Sequence, residues 1–206
     1  MQFRMLPLIF VAISFVGAGA DEPMVSLYNG NDLRGWTTTG NWIPQDDGSL
    51  MLRPREGEEG WKRYDAYLWA DQPYGDFVFD FEYKHESEGN SGFYFHVKDK
   101  DDPVETGIEI QIKDSYGDTG KLGPHHCGGV VRTQAPAKNM SRPPGQWNHM
   151  VVRCESGHLQ VELNGEAIID MQLDKSAVSD RPDQGWLGIQ DHGQKFWVRN
   201  VQAKRL

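Results

Sequence analysis

Apolar and polar residues alternate with a period of two along most of this chain, the pattern of strands that bury one face. In residues 107–113, Ile108, Ile110 and Ile112 fall on one side, and Glu109, Gln111 and Lys113 on the other. In 76–84, an aromatic row of Phe77, Phe79, Phe81 and Tyr83 opposes Val78, Asp80, Glu82 and Lys84. In 91–97, Phe93, Phe95 and Val97 oppose Tyr94 and His96. Residues 66–70, 149–154, 158–163, 186–190 and 196–203 share this character. Turn chemistry separates the segments, most clearly at Asn164-Gly165, where both residues tolerate positive φ. No window carries a long amphipathic helical period, and only a short helix is expected, near 175–178. Strands without helices to cover them must bury their apolar faces against a second sheet. The pattern therefore predicts an all-β, two-sheet jelly-roll sandwich whose curved sheet offers a concave polar face.

The first residues break the pattern. Arg4, an apolar run from Leu6 to Val16, and Ala18-Gly-Ala20 read as a secretory signal peptide over 1–20. The run is too short for a stable membrane anchor, and no Cys follows for lipidation. Residues 21–206 then form one exported jelly-roll domain, periplasmic or extracellular. A formal charge of −9 disfavours nucleic acid, whose phosphates need a basic surface. Cys127 and Cys154 fit either a disulfide or two buried thiols. His125-His126 beside Cys127 lacks zinc-ligand spacing. Asp99, Asp101 and Asp102 lack the glycine-bearing calcium-loop pattern and read as a solvated acidic loop. No metal site or cofactor is predicted, a divalent metal being unsupported by these residues, and the oligomeric state stays open.

Candidate chemistry starts on the polar face of 107–113. Glu109 and Gln111 stand about 7 Å apart, one pleat repeat, pointing the same way. If 91–97 is the neighbouring strand, Tyr94 and His96 join them on one surface. The loop 56–64, charged and carrying Trp61, is the expected rim or lid. Trp147 is expected to plug the sandwich end.

Several motifs occur in order. They are Leu27-Tyr-Asn-Gly-Asn-Asp-Leu-Arg-Gly-Trp36, Gly89-Asn-Ser-Gly-Phe-Tyr94, Gly107-Ile-Glu-Ile-Gln-Ile112 and Ala135-Pro136. Pro144-Gly-Gln-Trp-Asn148, Leu163-Asn-Gly165, Leu187-Gly-Ile-Gln-Asp-His-Gly193 and Val198-Arg-Asn-Val201 follow. As a set they resemble the 3-keto-disaccharide hydrolase domain family of secreted bacterial proteins. The resemblance implies a concanavalin A-like jelly roll of the lectin and glucanase type, acting on glycosides with a ketone at the third carbon. It carries functional expectation onto Glu109, Gln111, Gln190, Asp191 and His192, and onto Tyr94 and Arg199. One departure stands out: family members often carry Arg in the strand after the Asn-Ser-Gly turn, where this chain reads Phe95-His96-Val97.

Ordinary glycosidases need two carboxyl groups, and the strand bearing Glu109 offers only one. A 3-keto sugar removes that need, because its carbonyl acidifies the neighbouring C–H and one base can begin elimination. Glu109 and His192 are therefore the expected catalytic pair. Tyr94, His96, Gln111, Gln190, Asp191 and Arg199 are expected to hold a small carbohydrate substrate. A non-catalytic carbohydrate-binding module of the same fold is the alternative, and a purely structural interaction domain is a third reading.

Overall fold

The computed structural model describes residues 23–206, so the expected signal peptide lies outside the described residues. Thirteen strands run in order: β1 (Val25–Ser26), β2 (Trp36–Thr37), β3 (Trp42–Pro44), β4 (Leu50–Leu52), β5 (Leu68–Ala70), β6 (Phe77–His85) and β7 (Asn90–Val97). They continue with β8 (Ile108–Lys113), β9 (Asn148–Glu155), β10 (His158–Leu163), β11 (Glu166–Gln172), β12 (Trp186–Ile189) and β13 (Phe196–Arg205). Helical structure among the described residues is a one-turn α-helix, Pro103–Thr106, and two 3₁₀ turns, Tyr64–Ala66 and Leu173–Lys175. The second lies close to the short helix expected at 175–178.

Two antiparallel sheets form the sandwich. The larger has the order β11-β10-β9-β6-β13-β4-β3, with β1 also paired to β13; the smaller has the order β2-β5-β12-β7-β8. The aromatic row of β6 is wholly buried, as its alternation requires. Phe79 stacks on Phe93 of the opposite sheet at 4.4 Å between ring centres, and Phe77 meets Phe95 edge-on at 5.5 Å. Ile108, Ile110 and Ile112 complete the same apolar cluster from β8. Burial of each such side chain favours folding by about 2–3 kcal/mol.

The β10–β11 hairpin turns on Asn164 and Gly165, with φ of 54° and 84°. Cys127 and Cys154 are separate buried thiols, not a disulfide. Cys127 sits 2.9 Å from the Tyr83 hydroxyl, and burial pushes its pKa up. No helix among the described residues is long and apolar enough to cross a membrane.

Candidate active site

The polar face of the smaller sheet is built by register. Tyr94 of β7 pairs with Glu109 of β8, and Gly92 pairs with Gln111. Gln190, the residue just after β12, joins the face, its N–H bonding to the Gly92 carbonyl at 2.8 Å. Alternation therefore sends Asn90, Tyr94, Glu109, Gln111 and Gln190 away from the core while Phe93, Ile110 and Ile189 point into it. Gly92 is essential to this face. A Cβ there would lie 2.3 Å from Glu109 Oε1, so only glycine leaves space for the carboxylate. The free edge of β8 is closed by the segment 128–131, through Gln111 N–H to Gly129 O and Val131 N–H to Glu109 O. That segment delivers Arg132 to the site.

These elements enclose a cavity of about 310 Å³ with Glu109, Gln111, Tyr94, Gln190 and His192 in its lining. Trp61, from the loop expected to form a rim, and His125 line it as well. Beside it the face is paved with aromatic rings, Tyr67 stacking on Trp69 and leaning on Tyr94, each at 5.6 Å between centres.

Tyr94 Oη donates to Glu109 Oε2 at 2.7 Å. Burial pushes the Glu109 carboxyl up to about 7, although the Tyr94 hydrogen bond and the charge of Arg132 pull it down. Arg132 itself, with φ of 68°, is held by both carboxylate oxygens of Glu105. Gln190 Nε2 donates to Tyr67 Oη at 2.9 Å, and its buried Oε1 has no partner. A substrate hydroxyl would satisfy that oxygen.

A second chain of bonds orients the imidazole. Gln111 Nε2 donates to Asn90 Oδ1 at 2.8 Å, and Asn90 Nδ2 donates to His192 Nε2 at 3.2 Å. Since an amide nitrogen can only donate, Nε2 is the acceptor and His192 is neutral with its proton on Nδ1. Burial lowers its pKa and favours that state.

Three expected substrate contacts lie elsewhere. Asp191 is fully buried beneath the site: its Oδ1 accepts from Arg63 Nη2 at 2.8 Å and from Gly193 N–H at 2.7 Å. It fixes the turn carrying His192 against the rim loop, since Arg63 also reaches Glu58 O. His96 leaves the Glu109 surface because β7 is bulged against β12 between Trp186 and Gly188, and His96 takes φ of 51°. The bulge turns the ring to Gly75 O, 2.9 Å from Nε2. Arg199 stands on the larger sheet, bonded to Glu82 at 2.6 and 3.0 Å. Its guanidinium lies 4.1 Å from the Trp147 ring centre, and Lys84 lies 4.8 Å away. Trp147 thus packs with cations on the outer face of that sheet instead of plugging an end.

Asn90, Tyr67 and Arg132 were not among the expected site residues, and His125 was weighed only as a zinc ligand. Asn90 had a usable signal, because it shares the period-two face of Gly92 and Tyr94. Arg132 and His125 sit in an irregular segment with no period to place them.

Comparison with known proteins places the chain in a family and agrees with the fold. Residues 23–204 match the 3-keto-alpha-glucoside-1,2-lyase-like domain. A 3-keto-disaccharide hydrolase of Bacteroides thetaiotaomicron is 22% identical over 226 aligned positions, covering 88% of this chain and 78% of that relative. Two Parabacteroides distasonis structures, provisionally assigned as glycosyl hydrolases, superpose with TM-scores of 0.71. One is 23% identical and covers 90% of this chain and 100% of its own. The other is 25% identical and covers 89% and 94%. The carbohydrate-binding module CBM66 from Bacillus subtilis shares the fold at 16% identity and a TM-score of 0.56, covering 82% and 95%.

Proposed function

The chain belongs to the 3-keto-alpha-glucoside-1,2-lyase-like domain family, and from that premise we propose that it cleaves 3-keto-glycosides or 3-keto-disaccharides by elimination followed by hydration. The observation that carries the reading is one carboxylate, Glu109, in a sugar-sized cavity, with its pKa pushed up to about 7. A double displacement needs a second acid at the reacting carbon, and Glu109 is the only Asp or Glu lining this cavity among the described residues. Elimination needs a single base whose pKa lies near the working pH.

Glu109 takes the proton from the carbon between the ketone and the anomeric centre. The electron pair moves to the ketone oxygen as an enolate. It then returns to form a carbon–carbon double bond as the bond to the glycosidic oxygen breaks. The proton on Glu109 passes to the departing oxygen, to which the Nδ1–H of His192 also donates. Water then adds across the double bond and releases the 3-keto sugar. Gln190 Oε1 and the Gln111 amide hold hydroxyls, and Trp61 covers a sugar face. The basic and apolar leader supports an exported location, periplasmic or extracellular.

Incubation with a 3-keto-disaccharide and with its unoxidised parent tests this. Wild type should consume only the keto form, passing through an absorbing enone, and Glu109→Gln should lose turnover. Cleavage of the parent sugar at an equal rate would remove the mechanism. The fold shared with CBM66 and the aromatic rim favour one second reading, a sugar-binding module. That reading predicts binding of the keto sugar with no product.

A further inference from the structure

A second cavity, of about 490 Å³, opens where the β9–β10 turn, the segment after β11 and the approach to β12 meet. It shares no lining residue with the Glu109 cavity. Ile108, Leu173 and Val178 give it apolar surface, and its charged lining is three carboxylates, Asp76, Asp174 and Asp183, against one guanidinium, Arg181. The guanidinium is already engaged, with Nη1 donating to Asp180 and Nε to Gly107 O. The side chains of Asp174 and Asp183 are exposed and make no hydrogen bond.

His96, turned here by its left-handed φ, is 3% exposed and lines the same cavity. Its Nε2 must donate to the Gly75 carbonyl, which leaves a lone pair on Nδ1 with no hydrogen-bond partner among the described residues. Asp183 and Asp76 both bear on this ring electrostatically. Apart from Arg181 Nη2, the unengaged charged and ring groups are therefore acceptors, and their complement is a cationic donor. An ammonium, with three N–H donors and no acceptor, has that character. A metal ion does not suit the spacing, since no three His, Cys, Asp or Glu side chains among the described residues converge to hold one.

We propose that this cavity binds a small organic ammonium, a protonated primary amine on a short carbon body, which donates to His96 Nδ1 and pairs with Asp183 and Asp174. The apolar surface from Ile108, Leu173 and Val178 receives the carbon body. The site is independent of the sugar cavity.

Titration of the full chain with glucosamine and with ethanolamine, followed through the ¹⁵N resonances of the His96 ring, tests the assignment. Glucose and N-acetylglucosamine are neutral controls. Both amines should shift the ring saturably and the controls should not; response to glucosamine alone would narrow the ligand to amino sugars. Asp183→Asn, which breaks no internal bond, should weaken binding about fivefold, and Glu109→Gln should leave it unchanged. The proposal is overturned if neither amine moves His96 or if neutral sugars move it equally. It is also overturned if Asp183→Asn and Asp174→Asn both bind as wild type does.

Discussion

Glu82 and Glu109 look alike in sequence and differ in the folded protein. Each occupies the polar face of a strand whose other face is a run of aromatic or isoleucine side chains. Glu82 stands on the outside of the larger sheet. Partial burial pushes its pKa up, but hydrogen bonds from Arg199 and Asn200, and the Arg199 charge, hold it below the usual glutamate value. Glu109 stands in the concave face of the smaller sheet, under Tyr94 and the edge segment 128–131, where burial outweighs its single hydroxyl donor. Alternation decides which face a carboxylate takes. Sheet curvature and covering loops decide whether it keeps its water, and hence whether it is an ion-pair partner or a base that works near neutrality.

The largest expected effect separates the two carboxylates by activity. Glu109→Gln should lower kcat on a 3-keto-disaccharide by about 10²–10⁴-fold, while Glu82→Gln should stay within about twofold. Equal losses would erase the distinction. Gly92→Ala comes next. Its Cβ would collide with Glu109 Oε1, so kcat should fall by about 10–100-fold, while the corresponding addition at exposed Gly120, which meets nothing within 4 Å, should have little effect.

A third expectation concerns pH. A base must be deprotonated to act, so kcat/KM should fall about tenfold per unit as pH drops below about 7, the Glu109 value. A rising limb centred near 4.5 instead would place the working base in an ordinary environment. The smallest effect is on stability, and it has the opposite sign. The folded-state pKa of Glu109 lies above its unfolded value. The stability it contributes is thus fully present below about 4.5 and is lost as pH rises through about 7. Glu109→Gln should therefore raise stability by about 1–3 kcal/mol at pH 8 and by little at pH 4.5. Glu82→Gln should cost about 0–1 kcal/mol at pH 8. Chemical denaturation at the two pH values checks both.

Much of the fold was legible because β6, β7 and β8 keep strict alternation over six or more residues and are bounded by clear turns, while β13 keeps it only on each side of Asn200, where its register shifts. Strands β1 to β4 were not, since two or three residues carry no period. Strand β11 was hidden by adjacent buried Ile168 and Ile169 beside a register shift in β10, which breaks the alternation. At the site, Tyr94, Glu109 and Gln111 were legible as one face of two neighbouring strands. His96 was not, because a single bulged residue reverses a side chain without leaving a mark in composition. Asp191 sits beside His192 in sequence, yet the backbone N–H of Gly193 and the Arg63 guanidinium draw its carboxylate beneath the surface. Arg199 follows a strand pattern that specifies a face but not which of the two sheets bears it.

The cavity makes Glu109 a base suited to neutral pH. Carbon-detected NMR titration of the side-chain carboxyls, with Glu109 and Glu82 followed in one sample, measures that directly. A midpoint of about 7 is expected for Glu109 and one below the usual glutamate range for Glu82. Midpoints that coincide near 4.5 would contradict it.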